Sequence, residues 1–427
     1  MELLQFPRAG EKIFHEVLEN GLNVFVFPKP EFQKSYAFFA TRYGGMDTRF
    51  CLNGQWQDTP AGIAHYLEHK MFDTQEGNAL QDLAANGASP NAFTSNAITG
   101  YYFECTEKFE ENLKILLSFV SVPWFTPESV AKEQGIIGQE IGMIEDDPNW
   151  QVYQNLTKAM YHTHPIRTSV AGTVESISHI TDKTLYDCHK AFYDPANMVL
   201  CAAGDIDLET VCAAAREILP KTPGPIADRD YGGREPEQVS RNQIEVAMEV
   251  STLIFQLGFK GDAPERGEAG LRQSLLGELA CEVLLGSSSP LYARLYREGL
   301  INKSFYYDYE TEPGCAFLCA GGESRDPEAV RAAVLEESER LVREGVDRRL
   351  WERIKKGCYG NRMRGLNSFE NLCVTQAQSF FREERFLDFP QIYESLTIQD
   401  VQDLLERWVV PGRTALSIVR PKGGEQA

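Results

Sequence analysis

Hydrophobic and polar positions along the chain form runs of two kinds. Leu22–Pro28 (LNVFVFP) and Tyr36–Tyr43 (YAFFATRY) are dense in β-branched and aromatic residues, with turn residues at Asn20–Gly21 and Gly44–Gly45. Such runs predict strands. Asn91–Thr94 and Tyr101–Cys105 read the same way. Ile63–Phe72 and Leu80–Ala85 are helical in composition, the second stopping at Gly87. In Phe109–Val120, Leu113, Leu116, Leu117 and Val120 recur at helical spacing, which predicts an amphipathic helix. A longer helix is expected over Pro127–Glu145, ended by Asp146, Asp147 and Pro148. Its interior carries Gly135, Gly138 and Gly142. Each glycine costs a helix about 1 kcal/mol relative to alanine, so three together lead us to expect another backbone packed close against them, the bland alternative being a merely imperfect helix.

Asn197–Gly204 reads as a buried strand and Leu208–Leu219 as a helix. From Pro220 to Asn242 the periodicity is lost, and Pro220, Pro223, Pro225 and Pro236 stand among Gly224, Gly232 and Gly233. This is a linker composition. Beyond it the order of elements repeats. Strands are expected over Val246–Phe259, Ser304–Tyr309, Cys315–Gly321 and Ala415–Val419, and helices over Leu275–Leu285, Glu328–Glu344 and Trp351–Leu366. The reading is an α+β chain of two repeated domains, an N-terminal one over 1–220 and a C-terminal one over 243–427, joined by a linker over 221–242.

Composition narrows the function. The 427 residues carry 62 acidic against 42 basic side chains, a formal net charge of −20. A body this acidic repels phosphate backbones and anionic bilayers, so neither nucleic acid nor membrane is an expected partner. No run of 18 apolar residues appears, and MELLQFPRAGEKIFHEVL lacks the basic-then-apolar order of a secretory signal. The ten cysteines are scattered singly, apart from Cys315 and Cys319. They read as free thiols of a reducing compartment, which implies a cytoplasmic location.

The sharpest chemical feature is His65-Tyr66-Leu67-Glu68-His69. Histidines at i and i+4 stand one above the other on a helix, so both imidazoles can bind one tetrahedral zinc. Glu68, three residues after His65, lies beside the same metal, where its carboxylate can take a proton from water. This is the H-x-x-E-H order of a zinc-peptidase motif. The bland alternative, two surface histidines, fits poorly with the apolar neighbours Ile63, Ala64, Leu67, Met71 and Phe72. A catalytic zinc needs a third protein ligand. Glu133 and Glu140 on the glycine-containing helix are seven residues apart, hence on one face, and either could serve; the alternative is that both are solvated acids. His162 and His164 are two residues apart and cannot share a helix face, so they read as structural. No GxSxG, Cys–His pairing or phosphate-binding glycine loop stands out.

Several stretches in order resemble the zinc peptidase family of pitrilysin, insulinase and the mitochondrial processing peptidase. They are GIAHYLEHKMF (Gly62–Phe72), GASPNAFTS (Gly87–Ser95), KEQGIIGQEI (Lys132–Ile141), FYDPANMVL (Phe192–Leu200) and SSPLYARLYREGL (Ser288–Leu300). The resemblance spans about Phe14 to Val419. It implies repeated domains, each a mostly antiparallel sheet packed with helices on one face. It implies a zinc-dependent endopeptidase with zinc on His65, His69 and Glu140. It makes Glu68 the general base and gives Glu133 to the catalytic set as the acid holding a ligand histidine in its tautomer. It implies substrate pairing, as an added strand, with Asn91, Ala92, Phe93 and Thr94. Active members also grip substrate through an Arg and a Tyr from a related domain. Here Arg297 is present, but Asn302 or a neighbour falls where the tyrosine would be. The implied partner is therefore a related subunit that supplies the Arg–Tyr pair across a chamber, as in a half-length bacterial branch, or a second copy in a homodimer. The rival expectation is a non-catalytic scaffold or peptide-binding subunit of the same fold, which normally loses H-x-x-E-H.

Overall fold

The strand-forming runs assemble into two large sheets and one small one, described for residues 1–423 in a computed structural model. The first set comprises β1 (Glu2–Phe6), β2 (Glu11–Val17), β3 (Asn23–Pro28), β4 (Ser35–Thr41), β5 (Arg49–Leu52), β6 (Gln55–Asp58), β7 (Ser89–Thr94), β8 (Thr99–Cys105), β9 (Met198–Gly204) and β10 (Asp228–Arg229). Seven of them form a sheet in the order β1-β2-β3-β9-β4-β8-β7, and β10-β5-β6 form the small sheet. In the large sheet only β3 and β9 run parallel. The second set is β11 (Gln243–Met248), β12 (Ile254–Lys260), β13 (Tyr306–Glu312), β14 (Cys315–Glu323) and β15 (Thr414–Pro421), in the order β11-β15-β12-β14-β13. There β11 and β15 are the parallel pair.

The expected repeat is therefore present as topology. The order β3-β9-β4-β8-β7 has the same strand directions as β11-β15-β12-β14-β13. A Pro-led 3-10 turn precedes the matching strands, Pro195–Asn197 before β9 and Pro411–Arg413 before β15. The α+β class and the mostly antiparallel sheets agree with the sequence reading.

By contact, the first unit takes Met1–Ile141, Ser169–Tyr231 and Met363–Asp388. The second takes Gly142–Thr168, Gly232–Arg362 and the residues from Phe389 onward, so the change of unit at Tyr231–Gly232 falls inside the Pro- and Gly-rich stretch. Each unit covers one sheet face with a helix from a distant part of the chain. Phe369–Phe381 packs on β4 and β9 of the first, and Pro148–Met160 packs on β12 and β15 of the second. In the second unit a Cβ on Gly258 would stand 2.6 Å from Met160 Sδ, so the missing side chain is what admits this helix. On the other face of the first sheet lie the helices Ile63–Met71 and Phe109–Ser121, with Leu67, Leu113, Leu116 and Leu117 fully buried.

Among the described residues no helix is long and apolar enough to cross a membrane. The ten cysteines are free, and eight of them are buried. His162 and His164 belong to a tied loop: His164 Nε2 donates to the Pro313 carbonyl at 2.9 Å while its Nδ1 accepts from Ile166 N. Arg297 ends the exposed-faced helix Pro290–Arg297 of the second unit. Asn302 is held locally, donating to Glu323 at 2.8 Å and accepting from Ser304 N.

Candidate metal centre

The histidine-bearing helix starts at Gly62, whose φ of 91° sets the chain turning into Ile63. A Cβ there would approach the Ala171 carbonyl oxygen to 2.5 Å, so only glycine fits. His65, Glu68 and His69, at i, i+3 and i+4, share one face of the helix. That side faces the glycine helix Pro127–Glu145. Val130, Ile137 and Ile141 of this second helix are buried, and Glu133 and Glu140 lie on the same face at i+3 and i+10 from Val130. The Tyr66 hydroxyl donates to the Val130 carbonyl and ties the two helices together.

The glycines of that helix face the other way. A Cβ on Gly135, Gly138 or Gly142 would meet nothing within 4 Å. The close backbone contact expected from these residues is not there. Helix contact is made instead by the face that carries Val130, Ile137 and the two glutamates.

His65 Nε2 stands 3.5 Å from Glu140 Oε1, and His69 Nε2 stands 3.5 Å from Glu140 Oε2. One ligand atom from each of the three residues lies within 4.8 Å of the others. Two ligands each about 2.0–2.1 Å from a tetrahedral zinc stand about 3.3 Å apart. The spacing is therefore that of donors around a small cation, longer than a good hydrogen bond. Donor chemistry agrees: two imidazoles and a carboxylate make a zinc set. His69 Nδ1 donates to Glu133 Oε1 at 3.2 Å, which leaves Nε2 with its lone pair free. Among the described residues His65 Nδ1 is buried without a hydrogen-bond partner.

Charge and burial are tightly coupled. Burial pushes the Glu68 carboxyl above its ordinary range, against His65, His69 and the Thr94 hydrogen bond, which pull it down. Burial alone would depress the His69 imidazole, yet the Glu133 hydrogen bond with the charges of Glu68, Glu140 and Glu133 holds it above its ordinary value. The polar contact with His65 Nε2, together with the charges of His65 and His69, keeps Glu140 low, against partial burial. A cluster of three carboxylates around two imidazoles thus attracts positive charge, as a cation site must.

Glu68 is 8% exposed, and its Oε2 accepts from Thr94 Oγ1 at 2.9 Å. Thr94 ends β7, the last strand of the seven-stranded sheet, so the outer edge of Asn91–Thr94 has no strand neighbour in that sheet. Asn91 is exposed, and its Oδ1 accepts from Ala92 N at 2.9 Å. Phe93 points to the opposite sheet face, stacked on Phe38. Of the residues singled out in the sequence, the fold thus brings His65, Glu68, His69, Glu133, Glu140 and Thr94 together within the first unit. Arg297 belongs to the second. The Thr94–Glu68 contact was missed in the sequence; a hydroxyl at the end of a strand-forming run carries no local sign that it meets a carboxylate 26 residues away.

The model of insulinase (peptidase family M16) matches residues 53–174, and that of the peptidase M16 inactive domain matches residues 179–358. The chain is 37% identical to the uncharacterized zinc protease YmfH of Bacillus subtilis, over 98% of this chain and 99% of that protein. This chain belongs to peptidase family M16. An M16-like peptidase structure from Alicyclobacillus acidocaldarius superposes with a TM-score of 0.92 at 32% identity, covering 97% of this chain and 99% of that one. Pitrilysin shares the fold, with a TM-score of 0.76 at 18% identity, and this chain covers 46% of it. The M16 relatives are thus named as zinc proteases, and one structure matches over nearly its full length.

Proposed function

We propose that this M16 chain is a zinc-dependent endopeptidase acting on peptides or small unfolded proteins. One observation carries the reading: two imidazole Nε2 atoms and the Glu140 carboxylate converge at zinc-ligand spacing beside a buried carboxylate, Glu68, held on one oxygen by Thr94. His65, His69 and Glu140 would hold the ion, with Glu133 keeping His69 in the Nδ1–H tautomer. Zinc, when bound, supplies Lewis acidity that acidifies a water toward a pKa of about 7 and polarises a carbonyl.

The chain's own residues do the rest. Glu68 takes a proton from the attacking water and delivers it to the nitrogen of the leaving amine. Burial, which raises its proton affinity, suits it to both transfers. The outer edge of β7 offers the N–H and C=O groups of Asn91–Thr94 to an extended peptide, which gives affinity with little reading of side chains.

The relatives' names support the protease reading, and the intact H-x-x-E-H speaks against a scaffold role, although a chain of Complex III2 from Candida albicans shares the fold. We further propose that catalysis takes place in a chamber formed with a related subunit, or a second copy, that brings the missing tyrosine. Glu68→Gln tests the central claim. It is expected to retain one zinc per chain and peptide binding while losing at least about a thousandfold in turnover. Turnover at the wild-type rate would refute the assigned base, and a wild type without chelator-sensitive cleavage would favour the binding or scaffold role.

A further inference from the structure

Thr94 belongs to the strand edge that the resemblance makes a substrate platform, yet its hydroxyl is directed at Glu68. We propose that Thr94 is a positioning residue for Glu68, so that the strand offered to the peptide also orients the base. This rests on the hydrolase reading above. A carboxylate has no proton to give, so the 2.9 Å contact is Thr94 Oγ1 donating to Glu68 Oε2. That occupies one carboxylate oxygen and leaves Oε1 for the proton in transit. In the first transfer a water O–H bond breaks, its proton goes to Oε1, and the hydroxide oxygen bonds the carbonyl carbon. In the second the proton leaves Oε1 for the nitrogen as the C–N bond breaks. Thr94 keeps its own proton throughout.

The hydroxyl is itself held. Thr99, fully buried and directly opposite Thr94 in the β7–β8 register, has its Oγ1 3.3 Å from Thr94 Oγ1 and 2.9 Å from the Tyr43 carbonyl. Tyr43 is fully buried. Thr99 has one proton, and with it given to the Tyr43 carbonyl Thr99 backs Thr94 by contact alone, so the Thr94 proton stays with Glu68. A peptide that adds to β7 presses on the strand whose last residue fixes Glu68, which would align scissile bond and base in one event.

The test uses zinc-loaded full-length protein, with its partner chain if one is required. Thr94→Val keeps shape and removes the hydroxyl, and Thr94→Ser keeps the hydroxyl. A hydrogen bond to a charged group predicts that Val lowers kcat by about 10- to 100-fold, with KM within about twofold and zinc content unchanged. Ser should recover kcat to within about threefold of wild type. Infrared difference spectra between wild type and Thr94→Val should show a carboxylate-stretch shift that vanishes in a Glu68→Gln background. A rise in KM at constant kcat would return Thr94 to a substrate-gripping role and overturn the proposal. Equal damage from Ser and Val, or an infrared difference that survives Glu68→Gln, would do the same. If zinc-bound wild type cleaves nothing, the hydrolase reading falls first; if it cleaves and Val leaves it unchanged, only the Thr94 assignment falls.

Discussion

At the scale of single residues, two carboxylates that act through the groups they bond, Glu133 and Glu235, have measurable consequences. Glu133 accepts from His69 Nδ1 and so presents Nε2 as a ligand. Glu133→Ala is expected to weaken zinc affinity by about 10- to 100-fold in competition with a chromophoric chelator, with the fold intact by circular dichroism. Unchanged affinity would mean that the tautomer is set without it. Glu235, 9% exposed, is a different case. Its oxygens accept from the backbone N–H groups of His162, Thr163 and His164 at 2.7–2.9 Å and from Lys260 Nζ at 2.9 Å. Burial opposes its charge, but these donors outweigh it and bring its pKa down to about 2. Burial holds Lys260 below its ordinary value even beside Glu235, so the gain lies with the carboxylate and its amide donors. The folded pKa is below the unfolded one, so this stabilisation is fully present above about pH 5 and is lost as pH falls toward 2. The shift corresponds to on the order of 3 kcal/mol. Urea denaturation should therefore show Glu235→Gln less stable than wild type at pH 7, with the gap closing below about pH 3; a gap constant with pH would refute this.

At the scale of elements, the helix Pro127–Glu145 matches the bounds expected from its pattern, but its glycines mean something else. They line a face with open space beside it. Gly135→Ala and Gly138→Ala should then each stabilise the isolated chain by roughly 0.5–1 kcal/mol, read as a higher urea midpoint. Destabilisation would show that something does pack there. Element types were legible wherever a segment was long and strongly periodic, as in Phe109–Ser121, Pro327–Glu344 and β9. The β1–β2 hairpin, the β5–β6 hairpin and the helix Pro148–Met160 were not read from the pattern. Both β6 and the exposed half of β1 lack apolar alternation, and Pro148–Met160 mixes buried Gln154, Asn155 and Thr157 into its core face.

At the scale of the molecule, the repeated sheet and the single motif divide the labour. The first unit has the metal-ligand cluster, and among the described residues no second group of potential metal ligands of this kind appears. One zinc per chain is therefore expected. On the paired-chamber proposal, turnover needs another chain. Mixing purified protein with related chains that lack H-x-x-E-H should raise peptide cleavage well above that of the chain alone, and sedimentation should show the complex. Full activity of a monomer would sink the paired-chamber proposal.

The sequence alone determined what is local. Two imidazoles one turn apart with a carboxylate between them, the strand-forming runs and their recurrence after the Pro- and Gly-rich stretch are all set by periodicities of 3.6 and 2. What lay beyond it was every contact between distant segments: which face of the glycine helix meets His65 and His69, that Thr94 reaches Glu68, and that a helix from residues 369–381 covers the first sheet while one from 148–160 covers the second. Such contacts join residues that are 26 to more than 150 positions apart. Their geometry follows from how whole surfaces pack, and no spacing along a chain encodes it.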